Sequence, residues 1–381
     1  MNIRIVLLTH AVAGLAVFMS SQLMRGDELT ENDRIVRLKS AGFVIYCDGD
    51  GRPVGASSKG KPINDHDADL LSRLQSIERL YLDSSRLTNV GMSYLTRLPQ
   101  LTHLSLDSGQ IDARAAGHLG QMTRLWSLNL ARTKISDADM RELRKLVRLR
   151  LLDLSQTQVG DQGIRELSTL TDLVNLKLED TYVGNAGLAT IRHWPKLESF
   201  DLSGTKVTDR GIKQLEDLEH LCDLDLSDTS ITDIALKQLV DLRCANTIAS
   251  LYLERVRGIT LEGIEHLAKI KNLSDLKLAG VKLDGAQTME LVSKMPRVSL
   301  LSIDAKVLSE SDLDDLNNLR ILIVKGTKVP RDLVTRVRKR FPKLHVEVHD
   351  ARPVPPFLRL PVGSSSRQIE IPFDERWFDG N

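Results

Sequence analysis

Rings, cysteines and net charge are all scarce in this 381-residue chain. Aromatic residues make up 4%, three cysteines stand at Cys47, Cys222 and Cys244, and 52 Lys+Arg against 51 Asp+Glu leave a formal net charge of +1. An odd trio of widely spaced cysteines excludes a disulfide framework and offers neither a CxxC pair nor a Cys/His set for zinc. Neutrality excludes the global electrostatic footprint of a dedicated nucleic-acid binder, leaving only local patches. The nine histidines include no HExxH, no glycine loop cradles phosphate, and no Ser, Cys or Lys has a base at motif spacing. Catalysis has no motif to stand on, and neither a cofactor, a metal nor a small-molecule substrate is expected.

Leucine is abundant instead, with 63 residues in the chain. At roughly 150 residues per domain the length implies two or three domains, but a chain so rich in one aliphatic side chain fills its core by repetition. From Ile77 the pattern L-x-x-L-x-L recurs, starting at Ile77, Leu101, Leu125, Leu149, Leu173, Leu197, Leu221, Ile248, Leu273, Val298 and Leu319. The first six spacings are all 24 residues. The L-x-L step alternates in and out as a short strand does. Thr133, Thr157, Thr181, Thr205, Thr229 and Thr327 hold the ninth position, with Ser85 in the first unit; a hydroxyl there is expected to tie one coil to the next. The pairs ending in Asp137, Asp161, Asn185, Asp209 and Asp233 read as helix N-cap signals. The following apolar stripe, as in Ile164, Leu167 and Leu170, faces a helix inward.

Units such as LESFDLSGTKVTDRGI resemble the leucine-rich-repeat family, in particular its bacterial Thr-for-Asn variety, akin to the repeats of F-box adaptor proteins. The resemblance implies an α/β solenoid: a right-handed superhelix with a parallel β-sheet on its concave face and short helices on its convex face. Eleven repeats span residues 77–343. Residues 27–76 are expected to form an N-terminal cap of helix, hairpin and degenerate repeat, residues 344–349 a C-terminal cap strand, and residues 350–381 a Pro-rich tail carrying Phe357, Phe373, Trp377 and Phe378. Residues 1–26 place the apolar run 5–19 behind Arg4, the layout of a secretory signal. Its cleavage site is poor, so an uncleaved anchor and a buried helix stay open. The chain is expected to be exported, whether periplasmic, cell-envelope or secreted, or to be membrane-anchored through this segment alone.

Two acidic turns and two basic stretches have simpler readings than ligand binding. Asp48-Gly49-Asp50-Gly51 begins like a calcium loop but has Lys59 at its twelfth position, and Asp65-His66-Asp67 sits in a helix-start slot. Residues 141–150 and 331–343 are strongly basic, as a solvated helix face is. The outward strand positions discriminate better. Asp153, Lys177, Asp201, Asp223, Asp225, Tyr252 and Lys277 project from them, reinforced by Glu179 at position seven, and the face turns apolar at Leu300, Ile321 and Ile323. A charged centre beside an apolar end suits a polypeptide partner. The expectation is a non-enzymatic scaffold that binds protein on its concave face. The alternative is an intracellular substrate adaptor of a ubiquitin-ligase-like complex.

Overall fold

The structure is a computed structural model and describes residues 29–111, 113–305, 318–326 and 331–350. The apolar run at 5–19, the shortened unit around 308–316, Thr327 and the tail from 351 lie outside the described residues. Among those described, no helix is long and apolar enough to cross a membrane.

Among the described residues fourteen strands form one sheet in chain order. The first two, β1 (Val44–Cys47) and β2 (Pro53–Ser57), are antiparallel; every later neighbour is parallel. They continue as β3 (Arg79–Tyr81), β4 (His103–Ser105), β5 (Ser127–Asn129), β6 (Leu151–Asp153), β7 (Asn175–Lys177), β8 (Ser199–Asp201) and β9 (Asp223–Asp225). Next come β10 (Ser250–Tyr252), β11 (Asp275–Lys277), β12 (Leu300–Asp304), β13 (Ile321–Gly326) and β14 (His345–Asp350). Among the described residues a short helix separates most consecutive strands. Parallel strands need such a crossover.

Ahead of the sheet, Thr30 caps the helix Glu31–Ser40: its hydroxyl accepts the Asp33 N–H at 3.1 Å, while the Asp33 carboxylate accepts the Thr30 N–H at 3.1 Å. Between β1 and β2 the Asp48 carboxylate accepts the amides of Asp50 and Arg52 at 3.0 and 2.9 Å, so this acidic run is turn chemistry. Asn64 caps the helix Asp65–Ser72 by accepting the His66 and Asp67 amides at 2.9 and 3.3 Å.

Positions one, four and six of the repeat build the core. Leu149, Leu152 and Leu154 are at most 1% exposed, as are Leu173, Leu176 and Leu178. The helix side supplies the opposing layer through Ile164, Leu167 and Leu170. Truncating any one of these leucines to Ala costs about 2–5 kcal/mol in lost burial and cavity formation. Two rings enter the series: Phe200 replaces Leu at position four, and the fully buried Trp194 donates its Nε1–H to the Leu167 carbonyl at 3.2 Å.

Coil-to-coil linkage differs from the expectation at the ninth position. The ninth-position hydroxyl stays within its own coil: Thr133, Thr157, Thr181, Thr205 and Thr229 each donate to the carbonyl three residues earlier at 2.6–2.7 Å. The bond to the next coil comes from the backbone one residue before. Position eight has positive φ in Ser84, Ser108, Arg132, Gln156, Asp180, Gly204, Asp228, Arg255 and Gly280. That conformation aims its N–H at position seven of the next coil, as in Gln156 N to Glu179 O, 2.7 Å, and Asp180 N to Ser203 O, 2.8 Å.

The pairs at the helix starts do mark the N-caps, and their acidic members add a second linkage. Asp137, Asp161, Asn185, Asp209 and Asp233 occupy the first helical position, and the residue before each is the cap. Their side chains reach forward and accept the cap amide of the next coil. The distances are 2.6 Å for Asp137 to Gly160, 2.7 Å for Asp161 to Gly184, 3.0 Å for Asn185 to Thr208, 2.7 Å for Asp209 to Thr232 and 2.8 Å for Asp233 to Thr260. Each such bond satisfies an amide the helix start leaves unpaired. It also explains the glycine two residues after the acid: a Cβ on Gly163, Gly187 or Gly211 would lie 2.5–2.7 Å from the preceding coil's Asp137, Asp161 or Asn185 oxygen.

Candidate protein-binding face

Register determines which outward side chains meet. Position five forms one row across the sheet: Asn129, Asp153, Lys177, Asp201, Asp225, Tyr252, Lys277, Ser302 and Ile323. Neighbours in that row are about 4.8 Å apart at the backbone. Six of the eight residues singled out from the sequence therefore stand in one line. Asp223 lies in the position-three row of β9, and Glu179 just beyond β7. Lys177 is exposed, while the other seven are half-buried.

Asp201 and Asp225 are directly opposite on adjacent strands, an unfavourable like-charge pairing. Burial, and next the Asp201 carboxylate, push Asp225 up to about 6. Glu179 rises to about 7 through burial and then the charges of Asp201, Asp180, Asp153 and Asp225. Burial also raises Asp153 and Asp223, with Lys177 opposing it at Asp153 and Lys277 at Asp223. At the edge of this cluster the Lys277 ammonium stands 3.7 Å from the centre of the Tyr252 ring, a cation–π contact. The Tyr252 phenol is pushed up to about 12 by burial and the neighbouring Asp223.

The position-five acids also have a local role that their alternation does not reveal. Asp153, Asp201 and Asp225 each accept the N–H two residues on, from Ser155, Ser203 and Ser227, at 2.9, 2.9 and 2.8 Å. Asn129 does the same for Ala131 at 2.9 Å. One carboxylate oxygen is thus committed to the turn and the other remains for the face.

Charged residues outside the outward strand positions join the cluster. Asp180 and Asp228 reach it from position eight, where Asp228 pairs with Arg255 at 2.8 Å. Burial, and next the Asp228 charge, raise Asp180. Farther on, Glu254 is 6% exposed and bonded to Lys325 at 2.5 and 2.6 Å and to Ser302 at 3.2 Å, a link from β10 across to β13. Burial works against the Glu254 carboxylate's charge, and the Lys325 ammonium outweighs it, holding the group below its ordinary range.

Toward the N-terminal end the face changes character. Tyr46 lies over Gly55, where a Cβ would come within 3.3 Å of its ring. Arg79, Tyr81 and His103 follow on β3 and β4. The His103 ring is 5.2 Å from that of Trp126, and the Arg150 guanidinium is 5.2 Å from the same indole. Burial, with Arg79 adding to it, lowers His103 to about 4, so its imidazole is neutral at physiological pH. Trp126 and Arg150 share position two, one residue outside the strand alternation, which is why an in-out reading passes over them.

Among the described residues no group of three or more His, Cys, Asp or Glu is arranged to hold a metal. The repeated geometry has a counterpart in sequence: the family model for Leucine rich repeat matches residues 75–135 and 99–159, and a second for Leucine Rich repeat matches residues 194–215. The chain carries leucine-rich repeats. Similar solved structures include two internalins of Listeria monocytogenes. The internalin inlF is 20% identical, with a TM-score of 0.47 and coverage of 77% of this chain and 88% of its own. Internalin C2 is also 20% identical, with a TM-score of 0.43 and coverage of 58% and 84%. No curated protein matches the chain. The sheet, its helices and the repeat matches together define a leucine-rich-repeat solenoid.

Proposed function

We propose that this repeat chain is a non-enzymatic scaffold whose strand face binds a polypeptide, with a basic segment of the partner lying over Asp153, Glu179, Asp201, Asp223 and Asp225. The observation that carries this reading is the register that puts Asp153, Asp201 and Asp225 in one row on β6, β8 and β9, where burial and next the neighbouring carboxylates raise Asp225 and Glu179. An incoming Lys or Arg relieves that repulsion on binding, so charge supplies both steering and discrimination. Lys177 stands within the row between Asp153 and Asp201, and Tyr252 and Lys277 bound it beyond Asp225. The described residues 29–76 hold a helix, a hairpin and a second helix. A ligase adaptor needs a helical F-box of some 40–50 residues, so the scaffold reading is preferred over the adaptor one.

Because Lys at these positions would remove the turn acceptor along with the charge, the test uses asparagine. The variant Asp201→Asn/Asp223→Asn/Asp225→Asn should lose capture of the native partner while melting no lower than wild type. Undiminished capture would reject the central carboxylates as the binding surface. Export is part of the same proposal: a mature chain starting near residues 20–27 outside the cytoplasm supports it, and recovery of the full-length chain in the cytosol overturns it.

A further inference from the structure

We propose that Arg150, lying over Trp126 at the rim where β6 begins, anchors a carboxylate side chain of the same polypeptide whose basic segment lies over Asp201 and Asp225. The inference rests on the proposed function and adds a second, oppositely charged contact to it.

Arg150 is exposed, its guanidinium lies 5.2 Å from the Trp126 ring centre, and it makes no ion pair among the described residues. Many other arginines near the sheet have an acidic partner, as Arg132 has Asp107 and Arg255 has Asp228. The cation–π contact with the indole leaves the edge donors of the guanidinium unspent, which suits bidentate pairing with a carboxylate. His103, 5.2 Å from the Trp126 ring, is neutral and adds no charge to the rim. The rim thus complements an acidic group, whereas the centre of the face repels one.

Geometry sets the spacing. Arg150 precedes β6 and Asp201 ends β8, so they stand two strand spacings apart across the sheet, with β7 between, and three residues along it. That is about 10 Å in each direction and about 14 Å on the diagonal, or roughly four residues of extended chain. The partner motif is therefore a Glu or Asp about four residues from a Lys/Arg pair.

Two fluorescent twelve-residue peptides test this on the full chain: one with a Lys-Lys pair and a Glu four residues away, the other with Gln in place of that Glu. Wild type should bind the Glu peptide roughly tenfold more tightly, the scale of one well-formed charge-assisted contact. Arg150→Ala should abolish that preference while leaving the Gln peptide's affinity unchanged, and Arg150→Lys should restore only part of it. Equal binding of the two peptides by wild type, or a preference that survives Arg150→Ala, overturns the anchor and leaves the central site standing. Failure of both peptides to bind overturns the central site and the anchor together. Displacement of the Glu peptide from wild type by heparin, with no heparin binding to Arg150→Ala, reassigns the rim to a polyanionic glycan and also overturns the proposal. Retention of the wild-type melting temperature in Arg150→Ala separates these results from misfolding.

Discussion

Replacing Asp225 with Asn should make the protein more stable at neutral pH and weaker as a binder. In the folded chain its carboxyl is raised from an ordinary 3.8 to about 6, first by burial and then by Asp201. The folded state therefore holds this proton more tightly than the unfolded chain, so ionisation penalises folding. The penalty is absent below about pH 4, grows as pH rises toward 6 and is complete above about pH 7. At about 1.4 kcal/mol for each tenfold change in acidity, the nominal cost is about 3 kcal/mol. One side of the cluster faces solvent, and screening leaves about half of it, about 1.5 kcal/mol. Asn keeps an Oδ1 acceptor for the Ser227 amide, now bonded at 2.8 Å, so the turn survives. Urea unfolding of wild type and Asp225→Asn at about pH 8 and about pH 4 reads the difference directly. The variant should gain about 1.5 kcal/mol at the higher pH and almost nothing at the lower, and added salt should narrow the gap. A variant less stable than wild type at about pH 8, or equally stabilised at both, would refute the electrostatic reasoning.

The coil-to-coil ladder predicts that Asp161→Ala, which strands the Gly184 and Gly187 amides now bonded at 2.7 and 2.9 Å, costs about 2–3 kcal/mol in urea melts. Asp161→Asn should cost less than about 1 kcal/mol, because Asn185 already makes the equivalent bond to Thr208. Glu254→Gln neutralises the buried carboxylate bonded to Lys325 and should destabilise by about 3 kcal/mol, with Glu254→Gln/Lys325→Gln recovering part of the loss. The wild-type contribution of that carboxylate is present above its ordinary 4.5 and lost on acidification, so the gap between wild type and Glu254→Gln should shrink at low pH. Native alkylation with iodoacetamide, read by peptide mass, should label the exposed Cys47 and Cys222 and spare Cys244, whose thiol is buried and pushed up to about 12.

The repeat was legible because one chemical requirement recurs: positions one, four and six face the same packed layer in every coil, and Leu answers it nearly every time. The linkage between coils was harder to read. An acid at a helix start looks the same whether it caps its own helix or the amide of the next coil, and Asp161 meets its Gly184 partner 23 residues away. Position eight leaves no residue-type trace at all. Ser, Arg, Gln, Asp and Gly adopt positive φ there, because the bond to the next coil enforces a conformation that most side chains resist by about 1–2 kcal/mol. On the face itself, alternation was sufficient to find the row from Asp153 to Lys277. It could not find Trp126 and Arg150, which meet only because equivalent positions of successive coils stack.

The position-five acids combine two requirements that can be separated chemically. The turn needs an acceptor two residues before its amide, and Asn129 shows that an uncharged amide side chain supplies one as well as Asp153, Asp201 or Asp225 does. Structure alone therefore accounts for an oxygen at these sites and leaves the negative charge unexplained, although Asp201 and Asp225 in register make that charge costly. If the charge serves the partner, neutralising Asp201 and Asp225 together should move stability and binding in opposite directions: higher unfolding free energy and lower affinity for the basic segment. A pure turn-former predicts no change in affinity. Measured on one protein preparation, the two signs separate a charge that serves the turn from one that serves the partner.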